Sequence, residues 1–423
     1  MYYKPMRITL LSTLAVSFVR FSLLAADLPS AAPDRAGFSP ERLNRINIVM
    51  REHVKEGRLN GASGLIARNG KIVFRETWGE YKPDTIVRMY SMTKAITGVA
   101  AMMLYEEGKF SLTDPVSKYL PEFKEMRVGT ETIDASGKKI YSSVPAQHQI
   151  LIRDLFRHTT GLDYAGPRGE DGAPVYTKIQ MMGGAPDVNF DLAEATRRLA
   201  SVPLNDEPGT KFRYGYSIDV LGRLVEVISG KPLDQFFQER IYGPLGMKDS
   251  GFFVPEAKWS RLATLYTPKR GGGGIEPSKG FAQDHYKYKP TLMLGGAGSV
   301  GTLDDYARFV TMLLNGGQLE NTRLLGRKTV ELMRSDHLGS LPKAGLLPEG
   351  YGFGLTFAVN LGPGKSAAVG SEGEYYWGGA AGTAFWIDPK EHMVGVFLIN
   401  VLPPTSAPAG EQFKRMAYEA LVD

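Results

Sequence analysis

The two ends of the chain carry the same pattern of elements, and that repetition limits the fold more than any other feature. Near the start, Ser39-Pro40 supplies an N-cap and a first-turn proline for a helix running towards Gly57. It is followed by "GLIARNGKIVFRETWG" (64–79), two β-rich runs joined by Asn69-Gly70, the strongest short hairpin signal. Near the end, "AGTAFWIDPKEHMVGVFLIN" (381–400) reads as two strands turning at Asp388-Pro389. A helix then puts Phe413, Met416, Ala417, Ala420 and Leu421 on one face. An isolated hairpin is marginal in water and needs further strands or a helix to cover it. The economical solution is one antiparallel sheet, built from both ends and flanked by helices.

The long middle reads as helical and loop-rich, with helical spacing at 92–107, 150–158, 191–200, 218–229 and 304–315. The expected fold class is therefore α/β, an antiparallel sheet flanked by helices plus a mostly helical inserted region. Its parts divide at 34–98, 99–298 and 299–423, with the active site at their junction. "KRGGGGIEPSKG" (269–280) reads as a flexible loop; it lacks the Gly-Lys-Ser/Thr of a phosphate cradle.

Residues 1–26 read as a signal peptide: Lys4 and Arg7, then an uncharged run from Ile8 to Val19, then small residues before Asp27. That run is shorter than the about 20 residues a membrane span needs, so export to the periplasm or outside is expected, with no membrane span. Without Lys4, Arg7 and Arg20, 50 − 3 = 47 bases face 45 acids. The remaining charges are interleaved, which gives no nucleic-acid footprint. The chain has no cysteine, which excludes disulfides, thiolate metal sites and a cysteine nucleophile.

Ser91 and Lys94, in "YSMTKAITGVAAMML" (90–104), lie three apart at the start of an apolar helix. Residues so spaced share a helix face, and the helix start favours developing negative charge. Serine is a poor nucleophile without a base, and a lysine amine can serve only when neutral. Ile96, Val99, Ala100, Met103 and Leu104 would carry Lys94 into the interior. The same spacing recurs at Ser136–Lys139 and Ser340–Lys343, in turn-like surroundings that open no apolar helix. No serine has glycines at both −2 and +2, although Ser299 and Ser371 come near, so the α/β-hydrolase elbow is missing. The six histidines are dispersed and no H-E-x-x-H occurs, which argues against a zinc hydrolase. A Ser-His-Asp triad would take His158 as its base, and a loop histidine at a helix end is the plainer reading of that residue.

With these residues in view, the sequence resembles the serine β-lactamases and penicillin-binding proteins, in the branch of class C β-lactamases and family VIII carboxylesterases. The resemblance rests on ordered segments: "SMTK" (91–94), "LIRDLFRHTTGLDY" (151–164), "FRYGYSIDVLGRLVEVISGKPL" (212–233), "YGPLGMKDSGF" (242–252), "GGAGSVGTLDDYARFVTMLLNGG" (295–317) and "YYWGGAAGTAFWIDP" (375–389). It implies a β-lactamase-like fold in which Ser91 attacks a carbonyl, Lys94 shares its proton and Tyr214 is the second proton-transfer group. The oxyanion would be held by the N–H groups of Ser91 and Ala380, and Tyr164 and Trp377 would wall the acyl pocket. Trp377-Gly378-Gly379 takes the place of the lactamase Lys-Thr-Gly, its glycines on an edge strand letting the substrate approach. Tyr216 stands where lactamases place asparagine.

Both departures remove polar partners for a lactam's carboxylate and side-chain amide. The expectation is a serine carboxylesterase acting on small, neutral, short-chain esters, with no metal or organic cofactor. A β-lactamase or D,D-peptidase is the rival enzyme. A silent penicillin-binding-type protein is the rival of another class, and retention of serine, lysine and tyrosine argues against it.

Overall fold

A computed structural model describes residues 28–169, 173, 189–279, 283–404 and 408–423. The leader expected at 1–26 lies outside them. Seven strands form the main sheet: β1 (Gly61–Arg68), β2 (Lys71–Gly79), β3 (Tyr351–Phe353), β4 (Ala358–Asn360), β5 (Tyr375–Gly378), β6 (Ala384–Asp388) and β7 (Met393–Leu398). Their order is β3-β4-β5-β6-β7-β1-β2, antiparallel throughout. The seam joining the two ends is the β1–β7 ladder, in which Leu65 faces Val396 and Ala67 faces Val394. Asn69 and Gly70 both have positive φ (52° and 72°), as the expected two-residue hairpin turn between β1 and β2 requires.

The helices that matter here are α1 (Pro40–Lys55), α2 (Thr93–Glu106), α3 (Ile152–Phe156), α4 (Leu192–Ala200), α5 (Ser217–Ser229), α6 (Leu303–Leu314) and α7 (Ala409–Glu419). Each falls where the helical spacing predicts, within a few residues at its ends. Ser39 caps α1 by accepting the Arg42 N–H.

Strand alternation sends side chains into two separate cores. Ala62, Ile66, Met393, Phe397 and Trp386 meet Ile46 and Met50 of α1 and Phe413 and Met416 of α7. Leu65, Ala67, Val394, Val396 and Leu398 point the other way, into a core shared with α2, α5 and α6. Helix α2 is buried on all sides from Thr93 to Leu104, so any polar group it carries is enclosed by protein. It packs on α5, and α6 packs on β7.

Three features differ from expectation. The middle region contains an antiparallel hairpin, Arg127–Ile133 with Lys139–Pro145, whose alternation is masked because most of it is solvent-facing on both sides. The glycine run 271–274 is the turn of a short ribbon pairing Tyr266–Pro268 with Ile275–Pro277, every glycine at positive φ. Strand β5 is only partly an edge: Tyr375 and Tyr376 pair with β4 on one side, whereas Trp377 and Gly378 pair with β6 alone. Among the described residues no helix is long and apolar enough to cross a membrane.

Candidate active site

Ser91 lies half-buried in a single 3₁₀ turn, Tyr90–Met92, that leads directly into α2. The turn is held from three sides. The Met89 N–H donates to the Ser299 carbonyl at 2.9 Å, the Tyr306 hydroxyl donates to the Met92 carbonyl at 2.9 Å, and Thr93 Oγ1 accepts the Ser299 N–H at 3.0 Å. Tyr90 takes a left-handed φ of 45°, which costs a non-glycine residue on the order of 1–3 kcal/mol and turns the chain sharply just before Ser91.

Lys94 follows one turn later and is 1% exposed. Its Nζ lies 3.1 Å from Ser91 Oγ, 3.2 Å from the Tyr164 hydroxyl and 2.6 Å from the Gly296 carbonyl. An ammonium has three N–H donors, and these three oxygens would take all of them. The Gly296 carbonyl can only accept, whereas both hydroxyls can also donate. A neutral amine therefore fits the same cage, with Ser91 O–H or Tyr164 O–H turned towards its lone pair. The cage holds Lys94 in either protonation state without moving an atom heavier than hydrogen.

Tyr214 presents its ring to the lysine, with Nζ 4.7 Å from the ring centroid, and its hydroxyl accepts the Trp377 indole N–H at 3.1 Å. The phenol oxygen in direct contact with Lys94 is that of Tyr164, expected only as a pocket wall. Burial, then the adjacent Tyr214 and Asp219, raises the Tyr164 phenol well above its ordinary value and keeps it protonated. Trp377 is 7% exposed, so its main contacts are Tyr214, 5.1 Å away between ring centroids, and Phe353 at 5.3 Å. Tyr216 is 3% exposed and packs against Tyr164, ring against ring edge at 4.9 Å.

His158 is fully buried behind Tyr214, ring centroids 4.7 Å apart, and its Nδ1 faces the Gly215 N–H. Burial and nearby Lys94 push it well below its usual range, so it is neutral. Its neighbours are Phe212, Tyr214 and Phe353, and the partner of Ser91 is Lys94, so the triad alternative is not the arrangement found.

The end of β5 lies against the Tyr90–Met92 turn. A Cβ on Gly379 would stand 2.5 Å from the Met89 carbonyl and 2.2 Å from Thr383 Oγ1, so only glycine allows this approach. The Gly379 N–H donates to the Thr383 carbonyl at 2.7 Å and the Gly382 N–H to the Gly379 carbonyl at 2.9 Å. This tight turn leaves Ala380 exposed at its tip, with Gly378 and Gly379 half-buried beside it. Ser91, Lys94, Tyr164, Tyr214 and the 377–380 strand end are thus brought to one place.

The hydroxyls of the other candidate serines are engaged elsewhere, although the Ser299 backbone grips the Ser91 turn. Ser136 sits in the exposed turn of the 127–145 hairpin, and Ser299 is buried with its hydroxyl on Tyr242. Two groups next to Lys94 were not among the site residues expected from sequence: the Gly296 carbonyl and the buried Asp219 that accepts the Gly296 N–H. The only available pointers were the small-residue stretch 295–301 and the Asp five residues after Tyr214.

The profile of the Beta-lactamase family matches residues 46–418. Esterase EstB of Burkholderia gladioli is 30% identical over 405 residues, covering 88% of this chain and 95% of its own. The structure of EstCE1, described as a hydrolase with promiscuous acyltransferase activity, superposes with a TM-score of 0.73 at 29% identity, covering 90% of this chain and 99% of EstCE1. Simvastatin synthase LovD from Aspergillus terreus shares the fold, with a TM-score of 0.73 at 22% identity over 91% of this chain and 98% of its own. The chain belongs to the Beta-lactamase family, and its fold is the β-lactamase-like α/β fold.

Proposed function

We propose that this protein is a serine carboxylesterase that hydrolyses small, neutral esters through an acyl-enzyme on Ser91. The observation that carries the reading is the enclosed Lys94 amine, 3.1 Å from Ser91 Oγ among oxygens that are all uncharged. Among the described residues no carboxylate in direct contact locks the amine in its charged form, so it can take the serine proton as Oγ bonds to the acyl carbon. The N–H groups of Ser91 and Ala380 would receive the oxyanion, each worth about 3–4 kcal/mol in the transition state. As the ester C–O bond breaks, the alcohol leaves with the proton that Lys94 took from Ser91, relayed through the Tyr164 hydroxyl and the adjacent Tyr214. Water then adds to the acyl-enzyme, gives its proton to the same unit, and releases the acid as Ser91 recovers its own. Similarity to EstB and EstCE1 supports an esterase.

The walls favour neutral substrates. Trp377 stands where lactamases carry a lysine, and its indole N–H is already engaged by Tyr214. A lactam's carboxylate would find no cation at that position, and leaving a charged group unpaired costs far more than missing an apolar contact. Tyr164 and Trp377 would limit the acyl chain to short lengths. Residues 1–26 are read as an export leader, to be tested by the N-terminus of protein recovered from a periplasm.

Purified protein assayed against p-nitrophenyl butyrate and a chromogenic cephalosporin should show kcat/KM for the ester about 10²-fold or more above that for the lactam. Equal efficiency on the cephalosporin would turn the assignment to a β-lactamase. A D-alanyl-D-alanine peptide as the best substrate would turn it to a peptidase.

A further inference from the structure

The Gly296 carbonyl makes the shortest contact to Lys94, and Gly296 is itself held from behind. Its N–H donates to Asp219 Oδ1 at 2.9 Å, while its carbonyl accepts from Lys94 Nζ at 2.6 Å. A Cβ on this residue would stand 2.6 Å from Asp219 Oδ2 and 3.0 Å from Oδ1, so the carboxylate packs directly on a Cα that must be glycine. The preceding residue is gripped from the other helix, with Thr97 Oγ1 donating to the Gly295 carbonyl at 2.6 Å. Segment 295–296 is clamped between α2 and α5, and the clamp ends on the lysine.

Asp219 is an unusual residue to find there. It sits in the first turn of α5, 3% exposed, and among the described residues it has no ion-pair partner within 4.0 Å. Burying a carboxylate without a direct cation costs several kcal/mol unless nearby charge and hydrogen bonds offset it. Burial raises this carboxyl, while Lys94 and the Gly296 N–H pull it back towards the ionised form. The titratable groups around it are Lys94 on α2, Tyr164 after α3, and Tyr216 one turn earlier, with Tyr214 and His158 behind them. Lys94 is the one cation in that group. An asparagine would satisfy the Gly296 N–H equally well, so hydrogen bonding alone gives no reason for a buried charge.

We infer that Asp219 is a positioning residue of the Ser91 site. It fixes the Gly296 carbonyl that anchors Lys94, and it supplies the buried negative charge against which the Lys94–Ser91–Tyr164 cluster exchanges its proton. This rests on the assignment of Ser91 as nucleophile under Proposed function.

The test is Asp219→Asn in the full-length protein, read by kcat and KM on p-nitrophenyl butyrate across pH 5–10. A second readout is the rate at which a fluorophosphonate labels Ser91. Removing a nearby negative charge makes the cluster release its proton more readily. The rising limb of kcat/KM should therefore move to lower pH by about one unit, the size expected for loss of a close charge in a partly shielded site. At the plateau kcat should fall about 10-fold or more with KM within about threefold, because the residue acts through Lys94 and touches no substrate. Thr97→Val, which loosens the same clamp without altering charge, should lower kcat with no movement of the limb. Asp219→Ser carries the same expectations as Asp219→Asn, so a folding failure of one variant does not end the test. Wild-type kcat with an unmoved limb in Asp219→Asn, while Ser91 still labels, would overturn the inference and leave the nucleophile standing. Labelling at another serine in the unaltered protein would overturn the nucleophile first.

Discussion

Two lysines are drawn inwards on opposite sides of the sheet, and their surroundings could hardly differ more. Lys414, on α7, forms an ion pair with Glu374, which is fully buried just before β5. The Tyr418 hydroxyl bonds Glu374 as well as Asp388 Oδ2, so two acids, a cation and a phenol close on one another. Lys94, on α2, touches two hydroxyls and a carbonyl, and its carboxylate, Asp219, is kept one residue away behind Gly296. A lysine in direct contact with a buried carboxylate is fixed as a cation and ties two elements together. One surrounded by neutral oxygens can give up or accept a proton. The same residue type is thus a rivet on one side of the sheet and, under the proposed mechanism, a base on the other, and what separates the two settings is the charge of the nearest oxygens.

The largest effect should come from the oxygen that Lys94 serves. Ser91→Ala should reduce ester hydrolysis by about 10⁴-fold or more with an unchanged melting temperature, checked by p-nitrophenyl ester assay and thermal melts. Lys94→Ala should cost about 10³-fold. Combined with Tyr214→Phe it should lose far less than the product of the single losses, because members of one proton-transfer unit are not additive. Multiplying losses would show that the two act separately.

On the other side of the sheet the expectation reverses. Lys414→Met should leave kcat within about twofold and lower unfolding stability by about 3 kcal/mol near pH 8, since it strands a buried carboxylate. The pH dependence follows from Glu374, whose carboxyl is raised above its ordinary value by burial and pulled down by Lys414. An acid with a raised folded-state pKa holds its proton more tightly folded than unfolded. Stability is therefore lost as pH rises from the ordinary glutamate range through the folded value. Without Lys414 that window widens upwards, so the variant should be hurt most at pH 8 and least near pH 5 in urea titrations. Activity lost in Lys414→Met at full stability would erase the distinction between rivet and base.

The smallest expected effect is at Trp377→Phe, which keeps an aromatic ring but removes the N–H that Tyr214 accepts. One such hydrogen bond is worth about 1 kcal/mol, so kcat should fall about fivefold to tenfold. The preferred acyl length should stay the same. A change in length preference without a change in kcat would make Trp377 a pocket wall and nothing more.

What could be read in advance follows the range of the interactions concerned. The Asn69-Gly70 turn, the Ser39 cap and the helices at 93–106 and 217–229 depend on neighbours within a few residues, and local pattern revealed them. Ser91 and Lys94 share one helical turn, so their contact was legible too. The contact from Tyr164 to Lys94 spans 70 residues and that from Gly296 spans 202, and neither leaves a local trace. Tyr164 was expected as a pocket wall, with nothing local to show its hydroxyl reaching Lys94, and a backbone carbonyl has no sequence signature at all. The 127–145 hairpin was missed for the opposite reason: with little of it buried, its strands show no alternation to detect.

The β1–β7 seam has a consequence for how the molecule comes into being. Strand β1 and the Ser91 turn leave the ribosome about 300 residues before β7 does. Closing pairs so distant in sequence is slow, because the intervening loop must surrender its freedom before any contact rewards it. Until β7 arrives, β1 lacks its ladder partner and α6 lacks the sheet face it packs on. A nascent or truncated chain would therefore carry the whole SMTK motif while the central seam of its sheet is still open. The serine turn is made early, and the β5 strand end that lies against it is made late.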